Sequence, residues 1–290
     1  DDSPVIRITN PTSEFVGQST EFNGTATDSN GIENVEFVSL KKDGVEITPN
    51  PTPSVTFADD GTWSCTVTVK DTDILDSANY VYTFKATDTY GRTAETSSTY
   101  KIDKITPSLE DEIIKISDGK KTVSSTDSIN VWFNQSALTL SGKIIETNLD
   151  SINMSYNGKT VIVTPVNNFS ITESFDFEGK GVINFVIKDK AGNQLQKQIS
   201  LNIDTTAPTI TTASFGVEGK TSNADTTTLT KEVTEAATGS GIAAYYVGTT
   251  SGFKVENNIL KEDNTTIDLS SLPEGNNYLY LRVVDNAGNA

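Results

Sequence analysis

The chain has no histidine, a single cysteine, a single methionine and only three arginines in 290 residues. The missing histidine removes the commonest general base and the commonest transition-metal ligand. The lone Cys65 precludes an internal disulfide, so stability must come from core burial. No stretch approaches the roughly 18 consecutive apolar residues of a membrane-spanning helix, so direct membrane insertion is not expected. Positive charge is also scarce: 22 basic residues face 39 acidic ones, a net charge of −17. A surface this acidic repels phosphate backbones, which excludes nucleic acid as a partner. The bias to Lys over Arg, with abundant Asn, Thr, Ser and Ile, points to an AT-rich bacterial genome. The opening Asp1-Asp2-Ser3-Pro4 has the look of a mature or excised fragment.

What the chain does contain is an internal repeat. Phe84–Arg92 (FKATDTYGR) recurs as Phe185–Asn193 (FVIKDKAGN) and again as Leu281–Asn289 (LRVVDNAGN). Asp88 and Asp189 are each followed fifteen residues later by another aspartate, Asp103 and Asp204. Four residues beyond those lie Pro107 and Pro208. A weaker repeat precedes each copy: Gly24 leads to Asp28, Gly142 leads to Glu146, and Val233-Thr234 leads to Glu235. Each copy thus places one acidic residue at the end of an early strand.

The local pattern is β throughout. Two, four and six residues before each repeated aspartate the side chains are apolar: Ala86, Phe84, Tyr82; Ile187, Phe185, Ile183; Val283, Leu281, Leu279. A period of two defines one buried face of a strand. Turn pairs such as Asp43-Gly44, Asp60-Gly61, Asp118-Gly119 and Asn157-Gly158 separate the strands. No helix-period stretch exceeds about two turns. Units of about 100 residues built this way are expected to be β-sandwiches. The repeat spacing sets them at residues 1–104, 105–206 and 207–290, with short proline-ended linkers that favour stiff joints.

Asp189-Lys190-Ala191-Gly192-Asn193, followed by Asp204-Thr205-Thr206-Ala207-Pro208, resembles the bacterial immunoglobulin-like repeats of large surface adhesins and exported proteins. The run Asp59-Asp60-Gly61-Thr62-Trp63-Ser64 resembles a strand signature of the same repeats. The first unit departs from the pattern at Tyr90, Arg92 and Lys104-Ile105-Thr106. The resemblance implies an all-β chain of three tandem immunoglobulin-like β-sandwich domains. It also implies a bacterial cell-surface or secreted location and a non-catalytic spacer or adhesin role.

In such a sandwich the B–C and F–G loops share one end, and the incoming linker starts there. This end is expected to gather Asp103, Glu146 and Asp189 in the second domain, and Asp204, Glu235 and Asp285 in the third. The first domain offers Asp28 and Asp88, with Asp1 or Asp2 as a stand-in for the linker residue. Converging carboxylates suit Ca²⁺, a hard cation that takes oxygen ligands. The resemblance implies calcium that stiffens the joints. The same residues also suit metal-free turn chemistry, with each Asp accepting backbone N–H bonds in an Asx turn.

Catalytic motifs are weak. Ser117-Asp118-Gly119-Lys120 matches Ser-x-x-Lys in letters, but its Asp-Gly centre predicts a turn. Cys65 alternates with Trp63, Val67 and Val69 and is expected in a core. Trp63, Trp132, Tyr90, Tyr156, Tyr245 and Tyr246 offer either a glycan-stacking platform or core packing. A host-protein or glycan ligand, or service as an accessory region of a larger surface enzyme, is therefore the alternative to the spacer role. The third unit stops one strand early, after Asn289-Ala290. Its strand over Leu279–Val284 is expected to lack a partner on one edge, and further modules are expected beyond residue 290.

Overall fold

The computed structural model describes residues 2–75, 78–216, 225–251, 260–261 and 266–290. These residues form six sheets, and the only helical segments among them are three short 3₁₀ turns. The first sandwich packs a four-stranded sheet on a five-stranded one. The four-stranded sheet runs, in spatial order, Val5–Asn10, Ser19–Thr27, Thr62–Thr68, Val55–Phe57. The five-stranded sheet runs Phe15–Val16, Thr93–Ile102, Tyr80–Asp88, Ile32–Lys42, Val45–Glu46. The leading segment therefore divides itself between the sheets. Val5–Asn10 lies antiparallel to Ser19–Thr27, and Phe15–Val16 then runs parallel to the end of Thr93–Ile102.

The second sandwich repeats this plan. Trp132–Phe133 is the parallel partner of Gln194–Ile203, which pairs with Gly179–Asp189 and through it with Leu149–Tyr156. It adds a hairpin, Lys115–Ser117 with Thr122–Ser124, alongside Ala137–Ile145. Ser117–Lys120 forms the bend of that hairpin. Gly119 has φ +83° and Asp118 Oδ1 accepts the Lys120 and Lys121 N–H groups, so no helix places the lysine beside the serine.

The cores follow the period-two pattern. Tyr82, Phe84 and Ala86, and Ile183, Phe185 and Ile187, are all fully buried. Trp63 stacks 4.7 Å from Phe84, and Phe169 lies 5.9 Å from Phe185 at the matching place in the second domain. Both rings lie over a glycine on the neighbouring strand, Gly24 opposite Trp63 and Gly142 opposite Phe169. A Cβ on Gly24 would sit 2.3 Å from the indole and 2.1 Å from Arg7 O; on Gly142 it would sit 2.8 Å from the Phe169 ring. These glycines make room for the aromatic cores rather than for turns. Cys65 is buried beside Trp63, and desolvation raises its pKa to about 11, so it stays a protonated core thiol.

Among the described residues three cores form with no shared members: one spanning Ile6 to Ile102, one Leu109 to Ile203, and one around Leu229, Val247 and Ile267. The third sandwich pairs Thr209–Phe215, Thr226–Thr234 and Thr266–Asp268 in one sheet. Its other sheet holds Leu260–Lys261, Ile242–Gly248 and Tyr280–Asp285. Among the described residues Tyr280–Asp285 pairs only with Ile242–Gly248. The equivalent outer edges of the first two domains are covered by Thr93–Ile102 and Gln194–Ile203.

Two outcomes follow from this packing. Gly24→Ala should cost about 3 kcal/mol, because a backbone carbonyl blocks relief, and Gly142→Ala about 1 kcal/mol, because only a ring must shift; urea unfolding of the full chain measures both. Amide exchange at 280–285 should run at least about tenfold faster than at 82–87 and 183–188, since edge amides open locally. Equal protection would show that this edge is covered.

Candidate functional site

The repeated aspartates sit buried at the turns that end the strands Tyr80–Asp88, Gly179–Asp189 and Tyr280–Asp285, the places of the F–G turn in such a sandwich. Each turn is built alike. The aspartate N–H donates to the carbonyl four residues on, and the glycine N–H returns to the aspartate carbonyl. The glycines Gly91, Gly192 and Gly288 have φ between +81° and +96°, which only glycine adopts without strain. One carboxylate oxygen accepts backbone N–H bonds from the same turn, at 2.9 Å from Arg92, Asn193 and Asn289. The Asx-turn role is thus present in all three copies.

The joints add a second layer. The Asp103 N–H donates to Val16 O, extending the parallel ladder of the first domain by one rung. Its carbonyl accepts Asn193 Nδ2 at 2.9 Å and its Oδ2 accepts Asn148 Nδ2 at 2.9 Å, both from the second domain. Asp204 repeats the arrangement. Its N–H donates to Phe133 O, its carbonyl accepts Asn289 Nδ2 at 2.7 Å, and its Oδ2 accepts the Ser240 N–H at 2.6 Å. Asn193 and Asn289 also hold Asp189 and Asp285 through the same amide nitrogen, at 2.8 Å. Further contacts tie the first joint, where Ser13 Oγ donates to Lys190 O at 3.0 Å. At the second, Glu178 accepts both the N–H and the hydroxyl of Thr205.

The three loop ends differ in how their carboxylates are neutralised. In the third domain Asp204, Glu235 and Asp285 place one oxygen each within 4.8 Å of one another, the one set of three so arranged among the described residues. Glu235 Oε1 accepts the Gly241 N–H, and its buried Oε2 has no hydrogen-bond partner. Two oxygens on opposite sides of a Ca²⁺ ion lie about 4.6–5.2 Å apart, so this hard-oxygen set fits that ion. In the second domain Asp103, Glu146 and Asp189 do not gather to this extent. Asn148 intervenes, giving its backbone N–H to Glu146 Oε1 and its side-chain amide to Asp103. In the first domain Asp28 and Asp88 lie against Arg92. Asp2 is exposed, and Asp1 lies outside the described residues.

Titration follows this crowding. Burial, then the nearness of the Asp204 and Asp285 carboxylates, pushes the Glu235 pKa up against the lowering effect of the Gly241 N–H. Burial opposes ionisation of Asp204 too, but its bonds from Ser240 and Thr206 leave it below the usual range. At Asp88 burial is likewise outweighed by the N–H groups of Arg92 and Tyr90 and by the guanidinium, and its pKa is lowered.

The aromatic candidates do not form a platform. Trp63 and Tyr156 are buried, and Tyr156 Oη donates to Glu173 at 2.6 Å. Trp132, Tyr245 and Tyr246 are half-buried, and Tyr90 is exposed in a different domain from any of them. Sequence reasoning missed Arg92, Asn148, Asn193 and Asn289 as the partners of the acidic residues. The signal available was the last position of each repeat, which reads Arg, Asn, Asn.

No protein-family profile matches the chain, and no curated protein matches it in sequence. Similar solved structures include the fibronectin(III)-like modules of Clostridium thermocellum CbhA, at 13% identity and TM-score 0.44, covering 69% of this chain and 94% of that one. A titin segment aligns at 15% identity and TM-score 0.37 over 99% of this chain and 94% of its own. A 1.5-MDa bacterial ice-binding adhesin aligns at 16% identity and TM-score 0.32 over 99% and 95%. These likenesses concern the fold alone. No helix among the described residues is long and apolar enough to cross a membrane.

Glu235 binds its proton more tightly in the folded state, so its contribution is present below the ordinary glutamate range and lost as pH rises through the raised value. Asp204 runs the other way, stabilising above the ordinary aspartate range and losing that contribution as pH falls. Glu235→Gln should therefore raise the stability of the third domain at neutral pH in chelator, by about 0.5–1 kcal/mol. It should also flatten the decline in stability as pH rises above the ordinary glutamate range. Thermal unfolding across pH measures both.

Proposed function

We propose that this chain is a stiff spacer segment of a bacterial surface or secreted protein, built to hold modules end to end rather than to catalyse. One observation carries this reading: Asp103 and Asp204 each extend the ladder of the preceding domain while accepting an amide from the following one. A linker residue bonded on both sides has little freedom left, so bending at the joint must break hydrogen bonds on one domain or the other. The same device at both joints suits a repeating rod. The buried, protonated Cys65 thiol and the hairpin position of Ser117 offer no activated nucleophile, which fits a mechanical role.

Calcium is part of the proposal at the second joint. Asp204, Glu235 and Asp285 would hold the ion, which would relieve their repulsion and draw linker, B–C and F–G loops together. Ca²⁺ bound only by the native state would stabilise it.

In small-angle scattering the double variant Asn193→Ala/Asn289→Ala should show a broader distribution of shapes than the parent, with each domain still folded. For calcium the expected result is a reversal. Glu235→Gln is the more stable form in chelator and the less stable one in millimolar Ca²⁺. An unchanged scattering profile would overturn the spacer mechanism, and stability unaffected by Ca²⁺ in the parent would overturn the metal.

A further inference from the structure

The first loop end differs from the other two in the charge carried by the last residue of its turn. Arg92 occupies the repeat position that Asn193 and Asn289 hold, four residues after the buried aspartate. Its Nε donates to Asp88 Oδ2 at 2.7 Å, and its Nη2 lies 3.9 Å from Asp28 Oδ1. Asp28 and Asp88 are the counterparts of Glu146 and Asp189, and of Glu235 and Asp285. Their side chains are 3% and 0% exposed, against 26% for Arg92, and the guanidinium lies 5.8 Å from the centre of the Tyr90 ring. An asparagine at this position gives hydrogen bonds but no charge. An arginine gives both.

We propose that Arg92 is a built-in counter-cation: it neutralises the Asp28–Asp88 pair with the chain's own charge, so the first loop end is closed to divalent cations while the third stays open to them. The guanidinium stands between the two carboxylates, so an entering ion would have to displace a half-buried group hydrogen-bonded to Asp88. Within one chain the same structural corner is thus satisfied by a fixed cation in the first domain and by a neutral amide in the others. The consequence is directional. The response to Ca²⁺ is confined to one part of the rod, and the first domain keeps its loop end in order whatever the ionic conditions. Only the contrast with the third domain rests on the calcium reading above; the role of Arg92 does not.

The test uses the full chain and its Arg92→Asn and Arg92→Lys variants, with amide exchange followed by domain in chelator and in millimolar Ca²⁺. In the parent, Ca²⁺ should leave the amides of 88–92 unchanged. Arg92→Asn in chelator should exchange there at least about tenfold faster, since removing one partner strands buried carboxylates. Millimolar Ca²⁺ should restore most of that protection. Arg92→Lys, which keeps the charge, should stay within about threefold of the parent. The amides of 183–188 serve as the control that the neighbouring domain is intact in every variant. Parent-like exchange in Arg92→Asn, or equal loss in Arg92→Lys and Arg92→Asn, would overturn the proposal. A Ca²⁺ response at 88–92 in the parent would overturn it too. Absence of any Ca²⁺ response in the third domain would instead remove the calcium reading, leaving Arg92 to be judged by the two variants in chelator.

Discussion

The geometry of the joints depends on one backbone N–H and one backbone carbonyl at each linker aspartate. The N–H of Asp103 or Asp204 completes a parallel pairing begun by the short second segment of the preceding domain, Phe15–Val16 or Trp132–Phe133. The carbonyl of the same residue faces the F–G turn of the following domain and accepts its asparagine amide. A residue whose N–H is held by one sandwich and whose carbonyl is held by the next cannot turn about its φ or ψ without losing a hydrogen bond. The side chain then settles into the loops of the following domain.

This arrangement explains why the F–G turn and the linker carry matched residues. The turn needs an aspartate to hold its own N–H groups and a glycine in the left-handed region. Its last residue must also reach outward to the linker while bonding inward to the aspartate, which a short amide with one forked NH₂ group can do. Arginine at that place in the first domain still bonds inward but brings charge, and the acidic neighbour Asp28 lies close to it. Electrostatics thus distinguishes loop ends that the backbone builds alike. The third loop end keeps three crowded carboxylates, one of them with an oxygen that no donor reaches.

The sandwich cores obey a different logic. Aromatic rings on facing strands, Trp63 with Phe84 and Phe169 with Phe185, fill the space between sheets, and glycines on the adjacent strand leave room for them. The third domain has Leu281 at the place of Phe84 and Phe185, and Lys231 at the place of Gly24 and Gly142. Among the described residues its buried cluster holds Leu229, Val247 and Ile267.

Fold class and repeat rhythm are written in the order of residues. Period-two burial ahead of Asp88, Asp189 and Asp285 is local physics: a strand covered on one face must alternate, so the pattern alone turns Tyr82, Phe84 and Ala86 inward. The aspartate-glycine turn is equally local. The partners of the acidic residues were not legible, because Arg92, Asn148, Asn193 and Asn289 find them across loops and across a joint. Nothing in the spacing of a chain tells which of two polar neighbours will face a buried carboxylate. The same holds for Gly24 and Gly142, whose reason is a ring on another strand, and for the short parallel segments that bind each linker. These points are settled only by packing in three dimensions, because desolvation and charge act through space. The environment that leaves Glu235 with an unpaired oxygen, and closes Asp28 and Asp88 around a guanidinium, exists only once the loops have met.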